Sequence, residues 1–175
     1  MTSLAVLGAT GNLGGYVARE GVARGLDLSV VVRSPSRLSP DIATRARVTI
    51  GDLAQMPLDE IARFASGHDA LICCAGLVSD GEKFVALADR VVCALETLAA
   101  DKRPVAWFMA GAALLDFDAR GRRGVDLPKV RNTYWPHSRN FARLGRSDLD
   151  WRLLCPGPMV EQSGLGAERL RVSFG

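Results

Sequence analysis

Length, charge and composition place this chain among ordinary globular proteins. With 175 residues, of which 48% are apolar and 23% charged, it has the size and composition of one domain covering residues 1–175. A net charge of +3 favours no particular partner. It suits an anionic cofactor, but the charge balance of many neutral proteins would suit one equally well.

The local sequence argues against targeting signals and metal sites. No basic stretch precedes the short apolar run at the N-terminus, and glycines interrupt that run, so we expect neither a signal peptide nor a membrane span. The cysteines form no C-x-x-C pair and have no companion histidine spacing; they are Cys73, Cys74, Cys93 and Cys155. We therefore expect a cytoplasmic protein with no metal or disulfide, in which three of the four cysteines are buried.

Apolar runs and breaker residues predict alternating strands and helices. Strands are predicted at residues 4–7, 28–32, 47–50, 70–74, 104–109 and 151–155. Helical periodicity predicts helices at residues 13–24, 57–65, 84–98 and 134–144. A turn is expected at residues 34–37, a long connection at 112–132 and a loop at 164–166.

This alternation implies right-handed crossovers and a mostly parallel sheet. The first, second, fourth and fifth strands are continuous apolar runs, as expected for strands covered on both faces. The sequence therefore predicts an α/β fold built on a doubly wound parallel sheet with strand order 3-2-1-4-5-6.

Three glycines at a spacing of three separate the first strand from the first helix. Gly8 permits a tight turn, Gly11 lets a diphosphate approach the backbone, and Gly14 lets the helix pack close to the strand. This geometry presents backbone N–H groups and the positive end of the helix dipole to a phosphate. The spacing differs from the G-x-G-x-x-G fingerprint, so a purely structural turn is the alternative.

Ligands of doubly wound sheets bind beyond the carboxyl ends of the strands, where the strand order reverses. The residues expected to contact the cofactor follow the strands at that edge; they are Gly8, Thr10, Gly11, Asn12, Leu13, Gly14, Arg33, Arg37, Asp52, Leu53, Ala75, Gly76, Ala110 and Gly111.

The end of the second strand predicts the type of dinucleotide. NAD-selective sites usually place an acid there, but no acid occurs from Leu28 to Pro40. Arg33 stands at the strand end instead, with Arg37 one helical turn later, and a guanidinium can hold a 2′-phosphate through two charge-assisted bonds. We therefore predict NADP(H) as the preferred cofactor and NAD(H) as the second choice, the alternative being two solvated surface cations.

Two further positions at this edge have alternative interpretations. Asp52 either accepts a bond from the adenine amino group or caps a helix that starts at Leu53. Ala75 and Gly76 either let the chain pass close under the cofactor or form a simple turn at the end of the strand.

Several segments together resemble the atypical short-chain dehydrogenase/reductase group, which includes NmrA-like, biliverdin-reductase-B-like and epimerase-like NAD(P)H-binding proteins. These segments are G-A-T-G-N-L-G, V-V-R-S-P-S-R-L, G-D-L, the A-G after the fourth strand, F-M-A-G-A-A-L-L-D and L-D-W-R-L-L-C-P-G-P. The resemblance spans nearly the whole chain and implies a Rossmann fold with a nicotinamide cofactor, but it does not specify the substrate.

The sequence departs from that group at the residues that transfer a proton. Counting back from residues 149–151, His137 occupies the lysine position of the Y-x-x-x-K pair and Thr133 the tyrosine position, with Tyr134 beside it. Residues 110–112 replace the serine near the end of the fifth strand. Relatives also continue beyond the segment resembling residues 168–175, which implies a shortened C-terminus.

The first functional hypothesis is an NADPH-dependent reductase of a small planar acceptor such as a flavin, quinone or carbonyl compound. His137 or Tyr134 would then be the catalytic proton donor or ribose clamp, the alternative for His137 being a surface or helix-start histidine. Tyr134 and Trp135 form either an aromatic wall over the nicotinamide or packing for the long connection, whose length hints at a substrate loop.

The rival hypothesis is a non-catalytic, NmrA-like dinucleotide sensor that acts through a protein partner. The missing serine and Y-x-x-x-K pair favour it. A nucleic-acid role is not expected, because the basic residues between positions 120 and 131 alternate with aspartates and glycines and suit a solvated loop. We expect a small-molecule substrate, no membrane association, and a monomer or homodimer.

Overall fold

The fold is centred on a six-stranded parallel sheet, seen in a computed structural model that describes residues 1–156. The strands are β1 (Ser3–Leu7), β2 (Asp27–Val32), β3 (Arg47–Ile50), β4 (Ala70–Cys73), β5 (Val105–Met109) and β6 (Trp151–Leu154). Their order is β3-β2-β1-β4-β5-β6, and every neighbouring pair is parallel, which confirms the predicted fold class and topology.

Helices connect the strands of this sheet. Within residues 1–156 the α-helices are α1 (Asn12–Ala23), α2 (Pro40–Arg45), α3 (Leu58–Ala65), α4 (Glu82–Glu96) and α5 (Pro128–Leu144). Short 3-10 helices occupy Pro35–Arg37, Val78–Asp80, Ala100–Lys102, Ala112–Leu114 and Gly124–Asp126. The sequence pattern did not predict α2, whose apolar stripe consists of the single buried residue Ile42.

Side chains of the central strands alternate between two apolar layers. Ala5 and Leu7 of β1 join the larger cluster, which includes Ile61 of α3 and Leu95 of α4. Val6 joins the other cluster, built on α1, α2 and β2. This burial on both sides is the reason β1 and β2 lack polar alternation.

The fifth strand differs from the prediction, because it is not covered on both faces. Trp107 in the middle of β5 is 37% exposed, and its register partner Arg152 on β6 is also exposed. Among the described residues, α1 packs on β1 and β2 and does not extend over β5. An uninterrupted apolar run therefore predicted the strand correctly and its burial incorrectly.

The connection predicted at residues 112–132 is shorter and more ordered than expected. It contains two of the 3-10 helices and an antiparallel bridge between Asp116 and Arg123. The following helix begins at Pro128 rather than at residue 134, because a proline suits the first helical position, where no N–H partner is needed. Pro136 consequently lies inside α5, where it removes one helical hydrogen bond.

Within residues 1–156, every helix is too short or too polar to cross a bilayer. The loop predicted at residues 164–166 and the expectation of a shortened C-terminus both lie outside the described part.

The guanidinium of Arg143 on α5 links this helix to α4 through hydrogen bonds to two carboxylates. Arg143 donates hydrogen bonds to both carboxylate oxygens of Glu96, at 3.0 and 2.7 Å, and a further one to Asp89. We expect Arg143→Met to lower the free energy of unfolding by about 2 kcal/mol, because two partly buried carboxylates lose their partner.

Urea denaturation measures this loss. Arg24→Met is the matched control, since Arg24 and Glu20 pair on the surface with side-chain exposures of 65% and 60%, and we expect little change there. If the two substitutions lowered the free energy of unfolding equally, the prediction for Arg143 would be wrong.

Candidate functional site

The turn between β1 and α1 is closed by backbone contacts that leave no room for a side chain at Gly8 or Gly14. Gly8 has φ +86°, and the amide of Gly11 donates to its carbonyl at 2.9 Å. A Cβ atom on Gly14 would lie 2.2 Å from that same carbonyl oxygen. The first helical turn therefore sits directly on the end of the strand, as the glycine spacing predicted.

Among residues 1–156, no side chain caps the N-terminus of α1. Its N-cap residue is Gly11, and its first turn contains no acid. The backbone N–H groups at a helix start need an external acceptor, and the helix dipole favours an anion there. This glycine-lined cradle fits the diphosphate of a dinucleotide, with Gly11, Leu13 and Gly14 among the residues that would hold it.

The loop after β4 lies against this turn at the point where the strand order reverses. The amide of Cys74 donates to the carbonyl of Leu7 at 2.9 Å, and a Cβ on Gly8 would lie 2.9 Å from the backbone of Ala75. Gly76 has φ +93° and packs on the ring of Phe84. The predicted Ala75–Gly76 segment and the glycine turn are thus brought together.

Two exposed arginines follow β2. Arg33 is the residue next to Val32, and Arg37 ends the 3-10 helix Pro35–Arg37. Neither guanidinium forms a hydrogen bond or ion pair with any residue in the range 1–156. Because β2 neighbours β1 in parallel register, Arg33 lies at the same sheet edge as the glycine turn.

Asp52 and Leu53 close a turn after β3 instead of starting a helix. An Asp52 carboxylate oxygen accepts the amide of Ala54 at 3.0 Å, and α3 begins only at Leu58, so the helix-cap alternative was wrong. The Leu53 side chain is buried in the core, and its carbonyl accepts a bond from Arg90. Only the backbone of Leu53 is left to approach a ligand.

The predicted catalytic pair lies on α5 beside the end of β5. A Cβ on Gly111 would lie 3.4 Å from Cδ2 and Nε2 of His137, so that edge of the ring faces Gly111. The imidazole stacks on Tyr134 at 6.2 Å between ring centroids and meets the edge of Phe84 at 5.6 Å. The structure therefore joins the two predicted side chains, while Thr133 is simply exposed.

His137 is buried and its inner nitrogen has no protein partner. The residue is 8% exposed, so its interpretation as a surface histidine was wrong. Its Nδ1 makes no hydrogen bond to residues 1–156. Burial lowers the pKa of His137 below its ordinary value, which keeps the ring neutral at neutral pH.

Asn140 and the role of Phe84 were not predicted from the sequence. Asn140 follows His137 by three positions on the same helix face, and both line a small cavity with Ala75, Phe84 and Ala110. The i, i+3 spacing of two polar residues in a buried stripe was the available signal. Phe84 was recognised only as one apolar position of a helix.

The cysteines are all free thiols, and only Cys73 is fully buried, not three of the four. Burial raises the pKa of Cys73 to about 11 and that of Cys74 to about 12, so neither is a thiolate at neutral pH. In residues 1–156, no three metal-ligating side chains cluster to form a metal site.

A sequence comparison decides the family. The profile of a family described as NAD(P)H-binding matches residues 8–172, nearly the whole chain. The chain belongs to this NAD(P)H-binding family.

Solved structures similar to this NAD(P)H-binding protein share its fold. An oxidoreductase from Lactococcus lactis superposes with a TM-score of 0.75 at 18% identity, over 94% of this chain and 73% of that one. A protein from Streptococcus pneumoniae described as an NADH-flavin reductase gives 0.68 at 21% identity, over 87% and 70% of the two chains.

The NADPH-dependent quinone oxidoreductase of Escherichia coli, complexed with NADPH, gives a TM-score of 0.62 at 18% identity, over 87% of this chain and 48% of that one. At such identities these three likenesses establish the shared fold only.

The buried histidine of this NAD(P)H-binding protein predicts a pH-dependent stability. Because the pKa of His137 in the folded state lies below its unfolded value of about 6.5, the unfolded chain binds more protons, and stability falls as pH drops through that value. We expect His137→Gln to lose less stability than the wild type between about pH 7.5 and pH 5.5.

Urea denaturation at the two pH values measures the effect. The carboxyls of Asp69 and Asp118, whose pKa values are lowered by hydrogen bonds from Ser3 and Arg122, titrate below this window and do not interfere. An identical pH dependence in the variant and the wild type would refute the prediction.

Proposed function

We propose that this protein is an NADP(H)-dependent reductase of a small planar acceptor such as a flavin, quinone or carbonyl compound. The observation that carries the proposal is the neutral, buried His137, whose Nε2 edge faces Gly111 at the sheet edge that also holds the glycine turn. Doubly wound sheets bind their ligands beyond this edge, so the position of His137 supports a role for it next to a bound nicotinamide.

Each part of the cofactor has candidate residues. The turn from Gly8 to Gly14 would hold the diphosphate, and Arg33 with Arg37 would hold the 2′-phosphate. Ala75, Gly76, Ala110 and Gly111 would line the path of the dinucleotide, with small side chains that allow close approach. The carboxylate of Asp52 would meet the adenine amino group.

The bound nicotinamide would supply a hydride, and the chain supplies orientation and a proton. His137 would present an N–H to the acceptor from Nε2, with Tyr134 stacked on the imidazole and holding its plane. Planar acceptors demand little from a protein proton donor, which suits a site that lacks the serine and the Y-x-x-x-K pair. The names of two similar structures, an NADH-flavin reductase and an NADPH-dependent quinone oxidoreductase, support this substrate class.

Steady-state NADPH oxidation with flavins, quinones and aldehydes tests the proposal. We expect turnover with at least one class, and a fall of about 10-fold in kcat for His137→Gln with the Kd for NADPH nearly unchanged, a smaller loss than for acceptors that depend on a protein proton donor. Tyr134→Phe removes the hydroxyl and keeps the stacked ring, so it tests the hydroxyl alone. Thr133→Val is the matched control, because Thr133 is exposed on the same helix and we expect no effect there.

The second candidate function is an NmrA-like sensor, in which the dinucleotide alters binding to a protein partner. Ala110, Gly111 and Ala112 in place of the usual serine favour it. Tight NADPH binding with no turnover on any acceptor would support the sensor and contradict the reductase. For both functions we propose a cytoplasmic monomer or homodimer.

A further inference from the structure

The cavity beside His137 is unusual because its lining includes polar side chains. Ten residues line it, and among their side chains only those of His137 and Asn140 carry nitrogen or oxygen atoms. Both residues are 8% exposed. The side-chain amide of Asn140 makes no hydrogen bond to residues 1–156, and neither does Nδ1 of His137.

Burial of Nδ1 of His137 without a partner costs about 1–3 kcal/mol. A water molecule between this nitrogen and the Asn140 amide removes the cost if there is room for it. The cavity measures about 10 Å³, close to the smallest space that holds one water molecule. The Cys73 thiol lines the same space and can serve as a weak additional partner.

The side chain of Asn140 also borders the protein surface. Asn140 lines a second, larger groove of about 490 Å³ between α4 and α5, together with Asp89 and Arg143. The side chain of Asn140 therefore separates the outer groove from the inner cavity.

We propose that one water molecule in the cavity links Nδ1 of His137 to the side-chain amide of Asn140, and thereby keeps the proton of the neutral ring on Nε2. A water molecule can donate to Nδ1 or accept from it; we assign the direction in which it accepts a bond from the Asn140 amide N–H and donates one to Nδ1, which is then unprotonated. Since the Cδ2–Nε2 edge faces Gly111, the N–H points to the sheet edge. Asn140 is thus a positioning residue for His137.

The expected effect of Asn140 on turnover rests on the proposed function, but the assignment of the ring proton to Nε2 does not. The titratable groups that face the ring are Tyr134, stacked on it, and the Cys73 thiol, whose pKa is raised to about 11 by burial. The Cys73 thiol stays uncharged near neutral pH, and the hydrogen bond at Nδ1 sets the tautomer of the ring.

Nitrogen-15 NMR of the histidine rings, recorded on the full chain without cofactor, tests the proposal. The chain has two histidines, and the spectrum of His137→Gln assigns the signals. We expect the proton on Nε2 and an Nδ1 resonance displaced toward that of a hydrogen-bonded acceptor. Asn140→Leu should move it to the position of an unbonded nitrogen, whereas Asn132→Leu, an exposed change on the same helix, should not.

A proton on Nδ1, or an Nδ1 resonance unaffected by Asn140→Leu, would overturn the proposal. If that variant does not fold, the wild-type spectrum decides, because an unbonded Nδ1 resonance there has the same consequence. In a turnover assay we expect Asn140→Leu to lower kcat without raising the Kd for NADPH. Absence of turnover in the wild type would refute the reductase function and leave the tautomer result intact.

Discussion

Alanine at Gly14 is expected to weaken NADPH binding by about 100-fold, because the helix start can no longer rest on the strand end. The added Cβ would lie 2.2 Å from the carbonyl oxygen of Gly8, and this atom is backbone, so it cannot rotate away. The first turn of α1 must therefore retreat, and its amides then lose their alignment with a diphosphate at the turn. Isothermal titration with NADPH measures the loss.

The neighbouring glycine provides the control. A Cβ on Gly15 would meet its nearest atoms, on Ala9 and Arg19, at 3.5 and 3.6 Å, which is ordinary contact. Gly15→Ala should therefore keep NADPH affinity and raise stability by about 0.5–1 kcal/mol, as expected for a glycine inside a helix. Equal affinities of Gly14→Ala and the wild type would show that the cofactor does not use this helix start.

The second large effect is expected at Arg33. Arg33→Ala should weaken NADPH about 10- to 100-fold and NADH hardly at all, because only NADPH carries the 2′-phosphate that two charge-assisted hydrogen bonds would hold. The guanidinium is exposed and has no partner within residues 1–156, so its removal breaks no contact of the fold. Titrations of the wild type and the variant with NADPH and with NADH give the loss of affinity for each nucleotide.

Arg24→Ala is the control for the loss of one positive charge. Arg24 follows α1 at its C-terminal end, far along the helix from the glycine turn, and its partner Glu20 is exposed. A general electrostatic effect would make the two arginine variants alike, and equal losses for NADPH and NADH would contradict the NADP assignment.

The sequence predicted the sheet because its determinants are local. Short apolar runs bounded by glycines, with helical periodicity between them, specify strands and crossovers without reference to distant contacts. Helix α2 and the early start of α5 escaped prediction, since the first has one buried apolar residue, Ile42, and the second begins with the polar stretch after Pro128. The exposure of Trp107 depends on which elements cover β5, and an apolar run does not encode that.

The candidate site was predictable in part. The glycine turn, Ala75 and Gly111 follow strand ends, so topology alone brings them to one edge. The partners of Asp52 and the burial of His137 depend on loop closure and helix packing, which no short motif determines. Asn140 was identified only from the structure, because the structure shows which face of α5 lines the cavity.

A crystal structure of the protein grown with NADPH tests the central claim most directly. We expect the diphosphate at the start of α1, accepting hydrogen bonds from the amides of the turn between Gly8 and Gly14. Density for the nucleotide at another surface, with this turn free of ligand, would contradict the claim and leave only the parallel sheet and its strand order standing.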